Sequence, residues 1–278
     1  MMKGLLKPLL VAFLLTSTCI TNASPEKDKE AFQRYYTDHF PNIPVADFAN
    51  GAYALNQDAR DQWESMSDFP PYEDDLEEGE ELFNTAFANG KNYASCFKNG
   101  GNNIRQHYPQ FDAKRNTVIT LELAINECRI SNGEKPLPYK KGELAKISAY
   151  MSSTSEGSLI NIITPKSKSA LAAYNAGKQY FYTKRGQLNF SCSNCHIQNV
   201  GKKARSETLS PSLGHTTHFP VYRFKWASLG TLHRRFDICN KQVRAQPSAG
   251  QSEEYKNLEY FLTYMNNGLP INGPASRK

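Results

Sequence analysis

Apolar residues fall at helical spacing twice, in closely matched stretches. Leu144-Ala145-Lys146-Ile147-Ser148-Ala149-Tyr150-Met151 closes the first half of the chain, and Leu258-Glu259-Tyr260-Phe261-Leu262-Thr263-Tyr264-Met265 closes the second. Both end on Tyr-Met. The likeness extends upstream. Gly79-Glu80-Glu81-Leu82-Phe83 leads through Gly90-Lys91-Asn92-Tyr93-Ala94-Ser95 to Cys96, and Gly177-Lys178-Gln179-Tyr180-Phe181 leads through Gly186-Gln187-Leu188-Asn189-Phe190-Ser191 to Cys192. Each reads as a helix, a glycine stop and a short turn into a cysteine. A second cysteine follows in each half, Cys128 and Cys239. The pattern predicts a mainly helical protein made of a duplicated unit. Residues 24–75, rich in aromatics, acids and proline, read as an N-terminal extension that wraps the first domain or a partner. Asp74-Asp75-Leu76-Glu77-Glu78 opens a helix, where acids suit the positive end of the dipole.

The first residues follow a different pattern. Lys3 and Lys7 precede the apolar run Leu9 to Leu15, and small and polar residues follow up to Ala23. This is the layout of a secretory signal peptide, residues 1–23, cleaved after Ala23. Cys19 leaves with it. A lipoprotein reading of Cys19 lacks the small apolar residues expected just before a lipidated cysteine. No later segment is apolar enough to span a bilayer. Removal of Lys3 and Lys7 takes the formal charge from +6 to +4. The remaining Lys and Arg are scattered, a balance that does not argue for nucleic acid.

Cysteine content then carries the chemistry. Cys192-Ser193-Asn194-Cys195-His196 is a C-x-x-C-H sequence, the attachment motif of a c-type haem. Its two thiols add to the haem vinyl groups and the imidazole takes one axial position on iron. The competing readings are a disulfide or a zinc site. Zinc needs a second pair of ligands, for which His215 and His218 are the candidates. Haem attachment together with export points to a bacterial periplasm. After Cys96 the first half reads Phe97-Lys98-Asn99-Gly100, with neither a second attachment cysteine nor a histidine, so it carries no haem. Cys96 and Cys128, left without a cofactor in an oxidising compartment, are expected to form a disulfide worth about 3 to 4 kcal/mol by the chain-entropy argument.

Cys239 has no thiol partner. It holds the place in the second half that Cys128 holds in the first, which makes it a candidate axial ligand opposite His196. Met265, His215, His218 and His233 are the rivals, and a buried structural cysteine is the plain alternative. The flanking residues are basic: Arg234, Arg235, Lys241 and Arg244, with His233. Cations favour a thiolate and attract anions. In a helix, Arg235 lies one turn before Cys239 on the same face. A solvated basic face is the alternative.

Taken together, the attachment motif, the stretch Gly214-His215 through Pro220-Val221-Tyr222-Arg223, the run Arg234 to Pro247 around Cys239, and the tail Glu253 to Met265 resemble the SoxA family of cytochromes over nearly the whole mature chain. The resemblance implies two tandem cytochrome c-like domains, 76–160 without haem and 161–278 with one covalently attached haem c. It implies His196 and Cys239 as axial ligands of the iron, Cys239 as a persulfide, and Arg235 and Lys241 approaching the sulfur in a basic channel. It further implies L-cysteine S-thiosulfotransferase activity. Thiosulfate is joined oxidatively to a cysteine of a SoxYZ-like carrier, giving an S-thiosulfonate, and two electrons leave through haem. A SoxX-like monohaem cytochrome is the implied partner. Arg244 joins Arg235 and Lys241 as a cation that could offset the thiosulfate charge. A simple electron-transfer cytochrome and a haem-based sensor with an open iron position are the alternatives.

Overall fold

The computed structural model describes residues 24–277. The expected signal peptide lies outside the described residues.

Each half of the chain is built around a pair of crossing helices. In the first half, α3 (Glu73–Asn84) crosses α5 (Glu143–Ser153). In the second, α6 (Lys168–Tyr182) crosses α9 (Glu253–Met265). Both crossings are made at a glycine. A Cβ on Gly79 would stand 2.2 Å from the Lys146 carbonyl oxygen, and one on Gly177 only 1.9 Å from that of Asn257. No side chain fits, so the backbones meet directly. Met265 ends α9 and Met151 stands two residues before the end of α5; both are buried.

The segments between the paired helices also match. A two-stranded antiparallel hairpin, β1 (Gln110–Asp112) and β2 (Thr117–Ile119), leads through Thr120 into α4 (Leu121–Ser131). In the second half, β5 (Val221–Arg223) and β6 (Ser228–Gly230) lead through Thr231 into α8 (Leu232–Gln242). Cys128 and Cys239 each stand eight residues after that threonine. A third strand, β7 (Ala275–Arg277), joins β5 in parallel and aligns Arg277 with Arg223.

Two main apolar cores result. Phe83, Tyr93, Leu121, Ile125, Leu144 and Met151 centre the first. Tyr174, Phe181, Leu258, Phe261, Leu262 and Met265 centre the second. The Cys96–Cys128 disulfide closes over the first core, with Cα atoms 5.8 Å apart across a 32-residue separation.

The first helix of the N-terminal extension packs on the second half, while Tyr72 and Asp75 at the extension's end reach α5 of the first. In α1 (Pro25–His39), Phe32 and Tyr36 enter the second core. Asp28 bonds Tyr174 and Lys178 of α6 at 2.8 and 2.6 Å, and Gln33 donates to the carbonyls of Met265 and Asn267. Composition suggests the first domain or a partner as the surface for 24–75; these long-range partners place α1 on the second half instead. After α2 (Gln57–Ser67), α3 begins where the acidic run predicts. Lys146 of α5 pairs with Asp75 and Glu78 at 2.9 and 2.5 Å.

Charged side chains lie buried between the halves. Glu122 of α4 accepts from the Ser148 hydroxyl at 2.8 Å, and Glu259 of α9 faces His233 of α8 at 3.1 Å. Both carboxyls are buried, and Arg105 lies close enough to act on Glu122. Burial, then the Glu259 charge, push the Glu122 carboxyl above the usual range. The folded chain therefore keeps a proton that the unfolded chain has released, and stability falls as pH rises through that window. Glu122→Gln keeps an acceptor for Ser148 but removes the titration. It is expected to reduce the loss of unfolding free energy as pH rises above the ordinary carboxylate range in urea titrations. An undiminished slope would place the proton on another group.

Candidate haem and anion site

The attachment turn is fixed by local hydrogen bonds. α7 (Cys192–His196) begins at Ser191, whose hydroxyl accepts from the Asn194 amide at 3.2 Å, while the Asn194 side chain accepts from the Ser191 amide at 2.8 Å. This capping box winds one short turn that presents Cys192 and Cys195 together. Both thiols are free and half-buried, as is Cys239. Burial pushes the Cys192 thiol up to about 11 despite the opposing Arg185 charge, and it also raises Cys195. The Cys239 sulfur lies close enough to act on both. The structure thus brings the attachment pair and Cys239 into one space.

His196 is held in a ligand-competent form. Its Nδ1 lies 2.8 Å from the Ser210 carbonyl, which can only accept, so Nδ1 carries the proton and Nε2 keeps its lone pair. Burial pushes its pKa down to about 4, which keeps the ring neutral. Its own carbonyl accepts from the Tyr36 hydroxyl at 2.6 Å and from the Ser212 amide at 3.1 Å. The N-terminal helix therefore clamps the ligand loop. A neutral imidazole with a free Nε2 beside two adjacent thiols fits the attachment of a haem c, and Cys239 is a further sulfur nearby. Among the described residues, no group of three or more His, Cys, Asp or Glu is arranged to hold a bare metal ion. A haem brings four nitrogens of its own and needs only two axial donors.

The rival axial ligands are engaged elsewhere. The His215 ring stands edge-on to His196, with centroids 4.3 Å apart, and its Nε2 bonds the Ser210 hydroxyl at 2.9 Å. It is thus on His196's own side. His218 stacks on Phe219. His233 Nδ1 accepts from the Gln251 amide at 3.1 Å and its Nε2 faces Glu259. Met265 is buried in the second core.

The basic residues near Cys239 separate into different roles. Arg235, four residues earlier on α8, lies on the Cys239 face as the spacing predicts, and its charge reaches Cys195 and His196. Arg234 turns away to stack on Trp226 at 4.3 Å and bond Leu229 O at 3.1 Å. Lys241 lies two residues beyond Cys239, about 200° round the helix. With Arg244, Lys140 and Asp237 it lines an open pocket of about 540 Å³. Arg185 Nη1 lies 3.7 Å from Cys192 Sγ, and near Cys239 stand Arg235 and a residue assigned no role from sequence, Arg223 of β5. The Cys239 and Arg235 charges both act on Arg223, whose pKa burial lowers to about 10, leaving it cationic at neutral pH. No local pattern marks Arg223; the β5–β6 hairpin folding back before α8 puts it there.

Comparison with known proteins is consistent across the chain. The SoxA/TsdA cytochrome c domain matches residues 78–160, the half that carries the disulfide. The L-cysteine S-thiosulfotransferase subunit SoxA of Chlorobaculum tepidum is 56% identical over 253 residues, 91% of this chain and 88% of that protein. The chain belongs to the SoxA family. The SoxA subunit of Allochromatium vinosum is 52% identical over 93% of this chain and 92% of its own. The SoxXA crystal structure from P. pantotrophus superposes with a TM-score of 0.71 at 28% identity, covering 78% of this chain and 84% of that one. This SoxA-family chain is mainly helical with a cytochrome c domain. Among its described residues no helix is long and apolar enough to cross a membrane.

Proposed function

We propose that the chain is the cytochrome subunit of an L-cysteine S-thiosulfotransferase, which joins thiosulfate to the cysteine of a SoxYZ-like carrier. The observation that carries this reading is a third sulfur, Cys239, beside the attachment turn, with Arg235 acting on the turn and Arg223 on Cys239 itself. The family name of its relatives supports the activity.

The chain is read as two tandem cytochrome c-like units, 76–160 and 161–278, with one haem held by Cys192, Cys195, His196 and Cys239 in the second. The paired glycine crossings and the disulfide at the corresponding site of the first unit support that division. Bound there, haem supplies the electron sink that oxidative conjugation requires. The protein residues do the rest. Thiosulfate is a dianion, and Arg235 and Arg223 offset its charge by charge-assisted hydrogen bonds in a partly desolvated site. In this reading Cys239, as a persulfide, bonds the sulfane sulfur as two electrons leave, and that bond breaks when the carrier thiolate takes the thiosulfonate group, so it cancels from the overall reaction. Across both steps the carrier thiol loses one proton, a sulfur–sulfur bond forms, and two electrons depart. Lys241 and Arg244, on the outer pocket, suit the approach of the carrier rather than contact with the reacting sulfur. A SoxX-like monohaem cytochrome is the expected partner, in keeping with the SoxXA neighbour, and the compartment is the periplasm.

The test is near-infrared magnetic circular dichroism with EPR on the ferric holoprotein, followed by mass spectrometry of the carrier cysteine after incubation with thiosulfate. Sulfur opposite histidine and a thiosulfonate adduct are expected. A histidine–methionine or bis-histidine signature without an adduct would make the protein a simple electron-transfer cytochrome.

A further inference from the structure

A small hairpin reaches the same cations from the other side. β3 (Lys203–Ala204) and β4 (Glu207–Thr208) form two antiparallel rungs, and Glu207 is half-buried beneath three basic residues. Its Oε1 accepts from Lys225 Nζ at 2.6 Å and its Oε2 lies 3.8 Å from Arg223 Nη2. The charge of Arg235 also acts on it. Burial alone would raise this carboxyl. The Lys225 hydrogen bond and the charges of Lys225, Arg223 and Arg235 outweigh that and hold it below the usual range. An ionised carboxylate thus already sits among the guanidiniums that flank the site of Cys239.

The distances assign a purpose to this arrangement. The Lys225 contact is close, and Lys225 is largely exposed, so it serves as a tether. The Arg223 contact is long, at 3.8 Å, and the Arg223 side chain is only 14% exposed. A guanidinium so enclosed, with no other anionic partner within ion-pair distance among the described residues, is poorly matched by one distant carboxylate oxygen. A small dianion with several oxygens can do better, and Glu207 stands where it would bind.

We propose that Glu207 is an internal competitor for the substrate anion. It holds Arg223 and offsets part of the Arg235 charge while the site is empty, and yields both when thiosulfate arrives, so it sets the affinity of the site. This rests on the thiosulfate reading above. A competing carboxylate raises the concentration needed for half-occupancy and disfavours anions of low charge, which displace it less well.

The experiment is isothermal calorimetry of thiosulfate binding to the ferric holoprotein without carrier, paired with KM for thiosulfate when carrier is present. Glu207→Gln is expected to bind thiosulfate about threefold to tenfold more tightly, with KM falling by the same factor, since one opposing charge among partly buried cations is removed. Lys225→Ala, which frees the tether but keeps the Glu207 charge, is expected not to tighten binding. If Lys225→Ala tightens as much as Glu207→Gln, the effect is hairpin opening and the proposal fails. If Arg235→Ala weakens binding while Glu207→Gln leaves it unchanged or weaker, competition is wrong and the thiosulfate reading stands. If neither variant alters binding, the anion goes elsewhere and both fail.

Discussion

Replacing Cys239 with alanine is expected to abolish thiosulfate-dependent modification of the carrier cysteine, a loss of about a thousandfold or more, and to change the haem spectrum with it. In the proposed mechanism the two readouts are linked, because one atom would serve both. Among the described residues, Cys192, Cys195 and Cys239 are the free thiols, and the attachment motif uses the first two. The remaining sulfur is in reach of both attachment thiols and shares its helix face with Arg235. Methionine cannot take its place without rebuilding the second core, because Met265 is fully enclosed there. His215 cannot, because it lies against His196. Cys239→Ala should therefore give a ferric spectrum without the sulfur signature. The fold should survive, since the side chain is small and half-buried. The measurements are EPR of the ferric protein and mass spectrometry of the carrier. Lost turnover with an unchanged spectrum would separate the chemistry from the iron. Normal turnover would remove Cys239 from the mechanism.

The second large effect is structural. Gly177→Ala is expected to destabilise the protein by about 3 kcal/mol or more, beyond the usual range for a surface-to-core methyl insertion. The added Cβ would lie 1.9 Å from the Asn257 carbonyl oxygen and 2.9 Å from the Phe261 Cβ. The first of these is backbone in the middle of α9 and cannot swing aside. The helices must part, and the aromatic packing of Tyr174 and Phe181 on Phe261 opens with them. Since alanine is the better helix former by about 1 kcal/mol, a result near neutrality would mean that α6 and α9 do not meet at this point. Urea unfolding followed by circular dichroism measures the difference. Gly90→Ala, where an added Cβ meets nothing within 4 Å, tests the opposite case: any cost there comes from its φ of 80° alone.

Much of the site was legible because its chemistry is local. The attachment motif is a five-residue turn that needs no distant partner to be recognised, and the capping box that shapes it is written in Ser191 and Asn194. The Arg235–Cys239 relation follows from helical periodicity once α8 is granted. The disulfide follows from cysteine arithmetic and the missing second half of a motif after Cys96. Periodicity also separates Lys241 from Cys239 by about 200°, although the family likeness points the two together.

By itself, then, the sequence determined the mainly helical plan, the Cys192–His196 turn, the disulfide pair and the third sulfur, because each depends on spacing within one segment or on a count of thiols. Only the tertiary structure decided which charges surround that sulfur. Arg223 and Glu207 lie 16 and 32 residues before Cys239, on strands with no periodicity of their own, and their meeting depends on how two hairpins come together near Arg235 of α8. The same holds for α1, whose apolar stripe fits many surfaces and is assigned to the second half by Asp28, Gln33 and Tyr36. It holds too for α9, which reads as amphipathic yet is buried from Tyr255 to Met265, Lys256 and Glu259 included. Pattern reports how apolar one face is; it does not report how many neighbours close over the others. That depends on long-range packing, which supplies Lys256 with Thr117 at 2.7 Å and Glu259 with His233 at 3.1 Å and so makes those burials tolerable.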